Sequence, residues 1–69
     1  METFVKRLKE LRKENGITLV QLEKATGISK SSINEWENGQ SVPNALAIIT
    51  LAKFFEVTTD YLLGVSDIY

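Results

Sequence analysis

The sequence predicts an all-α domain of five short helices on a chain of 69 residues. Three observations carry that prediction. Apolar residues recur at helical spacing, one helix-start pattern appears four times, and glycines punctuate the intervals. No stretch alternates apolar and polar residues as a half-buried strand does. The length allows one domain, residues 1–69. A domain of that size buries only about 60% of the surface its unfolded chain exposes, so the core is thin.

The elements follow in order. In "TFVKRLKELRKENG", Phe4, Leu8 and Leu11 form one apolar stripe that Val5 widens, which predicts a first helix over 2–15 closed by Asn15 and Gly16. Thr18 with Gln21 three residues later forms a capping box, and Ile17 with Leu22 a hydrophobic staple, so the second helix covers 19–26. The same order of apolar residue, cap and apolar residue returns as Ile28-Ser29 with Ile33, Pro43-Asn44 with Ile48, and Val57-Thr58 with Leu62. These predict helices over 30–37, 45–55 and 59–63. Gly27, Gly39 and Gly64 stand just past helix ends.

Composition narrows the function. There is no cysteine and no histidine, hence no disulfide, no thiolate, and neither the commonest general base nor the commonest metal ligand. No enzyme activity, metal, cofactor or small-molecule substrate is expected. No apolar run reaches the roughly 18 residues of a membrane span, and "METFVKRLKE" contains no leader-type apolar segment. Small secreted domains usually carry disulfides, so a cytoplasmic setting and no membrane partner are expected. The formal net charge of −1 gives no general attraction for a polyanion.

The second and third helices are separated by "ATGIS", a glycine-containing turn of helix-turn-helix type. On a wheel of about 100° per residue, Lys30, Asn34, Ser31 and Glu35 fall within about 140° of one another, with Ile33 and Trp36 on the other side. The polar side carries donors and acceptors suited to base edges. Trp36 is placed in the core by this wheel, and Phe54 and Tyr61 are read as core residues too.

Beyond these features, the stretch "GITLVQLEKATGISKSSINEWENGQSVPNALAIITLAKFFEVTTDYLL" resembles the lambda-repressor-like (Cro/repressor, XRE-family) helix-turn-helix domain. The "GIS" turn, the "WENG" helix end and "FFEVTTDYLLG" are specific in combination, and the likeness covers nearly the whole chain. It implies a compact five-helix domain with helices two and three as the helix-turn-helix. It also implies a transcriptional regulator, more commonly a repressor, that binds double-stranded DNA as a homodimer with the second helix of the pair in the major groove. Carried over by position, Lys30 would meet guanine or a phosphate, Ser31 either base type, Asn34 adenine and Glu35 cytosine N4. Thr18, Ser29, Asn38, Gln40, Ser41 and Asn44 would meet phosphates, helped by helix N-termini. Arg12 and Glu37 occupy positions that pair as a partly buried salt bridge in relatives. The apolar ending points to dimerisation through Leu63, Val65, Ile68 and Tyr69; the competing reading folds Val65 and Ile68 back onto the first helix. The same fold also serves as a protein-interaction module of antitoxin or coactivator type, which is the alternative function.

Three departures from the family pattern qualify this reading. Leu19 stands where glutamine commonly touches a phosphate, Glu23 where a small residue is usual, and the loop "NGQSVPN" has no lysine or arginine. The cations gather instead in the first helix as Lys6, Arg7, Lys9, Arg12 and Lys13. Most of that run reads as a solvated face with pairs such as Glu2–Lys6 and Lys6–Glu10. A modest dependence of binding on salt, with a slope of about −2 to −4 per monomer, is therefore expected.

Overall fold

Side-chain caps determine where four of the five helices begin. In the computed structural model, which describes residues 1–69, the elements are α1 (Glu2–Glu14), α2 (Leu19–Thr26), α3 (Lys30–Glu37), α4 (Ala45–Phe55) and α5 (Thr59–Leu63). The Thr18 hydroxyl accepts from the Gln21 amide at 3.1 Å while Gln21 Oε1 accepts from the Thr18 amide at 2.8 Å, completing the capping box. Ser29, Asn44 and Thr58 each accept from the amide three residues on, at 3.2, 2.8 and 3.0 Å. Each such cap stabilises its helix by about 1 kcal/mol. Only α1 starts without a side-chain cap.

The helix ends are closed by backbone bonds. At α3, the Gln40 amide donates to Glu35 O at 2.8 Å and the Gly39 amide to Trp36 O at 3.2 Å. That paired closure uses carbonyls the helix itself leaves unpartnered. It recurs at the ends of α1, α4 and α5. At α4 the left-handed position is held by Glu56, with φ 57°, where the sequence offers no glycine. A left-handed non-glycine costs about 1–2 kcal/mol. It persists because the closure turns Val57 back against the core and sets Thr58 as the next cap.

Every helix sends one completely buried side chain into a common core: Leu8, Leu22, Ile33, Leu51 and Leu62 are each 0% exposed. Phe4 and Trp36 are buried beside them, and Tyr61 is half-buried against the cluster. Phe54 departs from expectation. On α4 the buried stripe is Ala47, Ile48, Leu51, Ala52 and Phe55, so the residue before Phe55 falls to the flank. Phe54 is 38% exposed and stands edge-to-face with Phe55, with 5.0 Å between ring centroids. Leu19 packs half-buried against the core, so this departure from the family pattern has a structural reason. Glu23 is also half-buried.

The last helix closes against the first. A Cβ on Gly64 would lie 2.7 Å from Thr3 Cβ, and Gly64 also has φ +87°, so this position excludes a side chain twice over.

Candidate nucleic-acid interface

The turn between α2 and α3 is fixed by local bonds. Thr26 donates its hydroxyl to Leu22 O at 2.8 Å and accepts from the Ile28 amide at 3.2 Å, while the left-handed Gly27 donates its amide to Glu23 O at 2.8 Å. Ile28 then packs against the core, and Ile33 and Trp36 anchor the inner side of α3. The outer side is left to Lys30, Ser31, Asn34 and Glu35, all of them exposed. The four predicted base-reading residues therefore share one open face.

Glu37, on the inner side of the same helix, is 5% exposed and carries a charge. It is matched by Arg12, whose Nε donates to Oε2 at 2.6 Å and whose Nη2 donates to Oε1 at 2.9 Å. Arg12 Nη1 adds a bond to Ile17 O at 3.0 Å. The hydrogen bond with Glu37 raises the guanidinium pKa above its ordinary value. This fork joins the end of α1 to the end of α3. No buried side-chain nitrogen or oxygen lacks a hydrogen bond.

The six polar residues read from sequence as phosphate ligands are all exposed, but they differ in what they have left to offer. Asn44 spends its Oδ1 on the Ala47 amide and keeps its NH2 group to donate. Thr18 accepts from Gln21 and keeps its hydroxyl hydrogen. Ser29 donates to Ser32 Oγ at 2.9 Å. Asn38 Nδ2 donates to Asn34 Oδ1 at 3.3 Å, and Ser41 Oγ donates to Glu35 Oε1 at 3.1 Å. Gln40 makes no side-chain bond. The loop bearing Asn38 and Ser41 also forms one wall of a groove of about 730 Å³ whose other wall is α1, where Glu2, Lys6, Lys9 and Glu10 line it together.

The first helix departs from the expected pattern. Neither Glu2–Lys6 nor Lys6–Glu10 closes as an ion pair; the pairs formed are Arg12–Glu37 and Arg7–Asp67. Arg7 was not singled out from the sequence. Its signal was positional: at about 100° per residue it lies only about 60° from Phe4, beside the apolar stripe. Arg7 Nη1 donates to Tyr61 O and to Ser66 O, the latter at 2.8 Å, Nη2 donates to Asp67 Oδ1 at 2.7 Å, and the guanidinium lies 4.1 Å from the centre of the Tyr61 ring. The C-terminal segment is thus drawn toward α1 by its backbone. Its apolar side chains stay outside: Val65 and Ile68 are 73% and 77% exposed, and Leu63 and Tyr69 are exposed as well. The reading that folds Val65 and Ile68 onto the first helix does not hold for their side chains. No helix is long and apolar enough to cross a membrane.

The sequence pattern of the helix-turn-helix domain family matches residues 5–68. The chain belongs to that family. Among the relatives of this helix-turn-helix domain is the uncharacterized HTH-type transcriptional regulator YobD of Bacillus subtilis, 36% identical over 64 residues that make up 93% of this chain and 57% of YobD. Another is the HTH-type transcriptional activator BcrR of Enterococcus faecalis, 36% identical over 61 residues, 88% of this chain and 30% of BcrR. The domain thus spans little more than half of YobD and under a third of BcrR. In three dimensions it superposes on the P22 c2 repressor protein in complex with a synthetic operator, with a TM-score of 0.81 at 29% identity, covering 90% of this chain and 94% of that one. The lambda-repressor-like fold expected from the sequence is the fold observed.

Proposed function

We propose that this helix-turn-helix domain binds double-stranded DNA as a sequence-specific regulator of transcription, with α3 in the major groove. One observation carries the reading. The outer face of α3 presents Lys30, Ser31, Asn34 and Glu35 to solvent while Ile33, Trp36 and Glu37 fix its inner face, on the fold of a repressor solved with its operator. Lys30 is the only cation on that face and reaches guanine or a phosphate, Asn34 takes adenine, Glu35 accepts from cytosine N4, and Ser31 serves either base type. Thr18 and Asn44, with hydrogens to donate at the starts of α2 and α4, hold the backbone, with Ser29 and Gln40 beside them. A duplex DNA partner places the protein in the cytoplasm. A second copy covers the exposed Leu63, Val65, Ile68 and Tyr69, because one short helix gives one weak half-site and a two-fold dimer reads two.

The test is binding to random duplexes at low salt. The combined variant Lys30→Ala with Asn34→Ala is expected to lose the selected sequences by more than about tenfold while keeping its melting temperature. The wild-type salt slope is expected between about −2 and −4 per monomer, and one steeper than about −7 would reveal a basic surface outside this face. Sedimentation at tens of micromolar, with and without operator, checks the dimer: a monomer in both conditions overturns it.

A further inference from the structure

We propose that Ser41 and Asn38 are positioning residues for base recognition and do not act as phosphate ligands; the proposal rests on the DNA reading above. The backbone closure of α3 brings them there. With the Gln40 amide bonded to Glu35 O, the chain turns back over the last turn of the helix, and Ser41 arrives beside the Glu35 side chain. A serine hydroxyl has one hydrogen, and Ser41 gives it to Glu35 Oε1. Phosphate oxygens only accept, so the Ser41 side chain in this arrangement has no hydrogen to offer one. The neighbouring Glu35 carboxylate moreover repels a phosphate at that point. What the bond does is hold a flexible side chain. With Oε1 engaged, Oε2 is left to accept from an exocyclic amine.

Asn38 acts on Asn34 in the same direction, one helical turn away. An asparagine that reads adenine must turn its oxygen to N6 and its nitrogen to N7. Asn38 Nδ2 holds the Asn34 oxygen on one side, which fixes the order in which Asn34 presents acceptor and donor. The two loop residues thus set the orientation of Glu35 and Asn34, and they shift part of that ordering cost to the free protein.

The two roles predict different results. From a random-duplex library selected with the wild-type domain, binding of each variant is compared position by position. Ser41→Ala is expected to lower discrimination at the base pair read by Glu35 by about threefold to tenfold. Affinity for non-cognate duplex and the salt slope should stay unchanged. Ser41→Thr should restore the discrimination, and Ser41→Ala should add nothing in a Glu35→Ala background. Asn38→Ala should do the same at the base pair read by Asn34, and nothing more in an Asn34→Ala background. A uniform loss over all sequences, non-cognate duplex included, overturns the proposal and makes these residues phosphate ligands. NMR couplings of the free domain give a readout independent of DNA: Ser41→Ala should free the Glu35 side chain to sample several rotamers, and an unchanged rotamer overturns the positioning role. A wild-type domain that binds no duplex at low salt overturns the DNA reading and the recognition role with it, and the NMR result tells that failure apart from an absent Ser41–Glu35 contact.

Discussion

Arg12 and Arg7 both leave α1 to hold a distant part of the chain, and they do it with different chemistry. Arg12 meets a carboxylate that is 6% exposed, engages both of its oxygens, and spends a third donor on Ile17 O. Arg7 meets a carboxylate that is 97% exposed and directs its other donors to backbone carbonyls of Tyr61 and Ser66 while its plane covers the Tyr61 ring. The residue type is the same and the helix is the same. What differs is the partner's surroundings, and that decides what each contact is for. The buried fork ties α3 to α1 and bears on global stability. The exposed clasp orders a terminal segment.

The largest expected effect tests the buried side of this comparison. Glu37→Ala leaves the Arg12 charge partly buried without its partner and should destabilise by about 3 kcal/mol. In a domain of this size that lowers the melting temperature by more than about 10 °C. Arg12→Ala should behave similarly, and a melt within about a degree of wild type would show that the fork is energetically idle. Next comes the clasp. Arg7→Ala should cost about 1–2 kcal/mol, chiefly through the Ser66 carbonyl left without a donor, since Tyr61 O keeps the Gly64 amide. Amide exchange should quicken at Val65 and Ser66, whose N–H groups bond to Asp60 O. Asp67→Ala should leave the melt where it was, because its carboxylate is in water. If Asp67→Ala matches Arg7→Ala, the distinction drawn between ion pair and backbone clasp is mistaken.

The smallest effect lies at alkaline pH. Desolvation first, and then the neighbouring Tyr69, raise the Tyr61 phenol above its ordinary pKa. The folded state therefore favours the neutral phenol more than the unfolded chain does. Its contribution is complete below the unfolded value of about 10 and is lost as pH rises through the folded value. Tyr61→Phe should flatten the decline in stability seen in that range by thermal denaturation.

What was legible in the sequence was local. Thr18, Ser29, Asn44 and Thr58 announce helix starts because a cap acts on an amide three residues away, and all four caps are made. The separation of Lys30, Ser31, Asn34 and Glu35 from Ile33 and Trp36 follows from helical period alone. What was not legible depends on distant chain. Arg7 finds partners 54 to 60 residues away, so its helix neighbours Glu10 and Lys6 said nothing about them. Phe54 looked like core by residue type, yet the register of α4 gave that place to Phe55. Glu56 adopts a left-handed conformation because Val57 and Thr58 require it, a demand no propensity at position 56 reveals. The loop-to-helix pairs Asn38–Asn34 and Ser41–Glu35 needed the path of the chain after Gly39.

The contact between Gly64 and Thr3 bears on how the protein comes into being. Its two sides lie near opposite ends of the sequence, and there is no room between them even for a methyl group. During synthesis the first turn of α1 leaves the ribosome early and must wait, its seat unmade, until residue 64 has emerged. The earlier helices can form while the chain is still growing, but the last joint is set only when translation has passed α5. A ribosome stalled within α4 should therefore hold a chain whose first turn is open to proteases, and release of the remaining residues should shut that door.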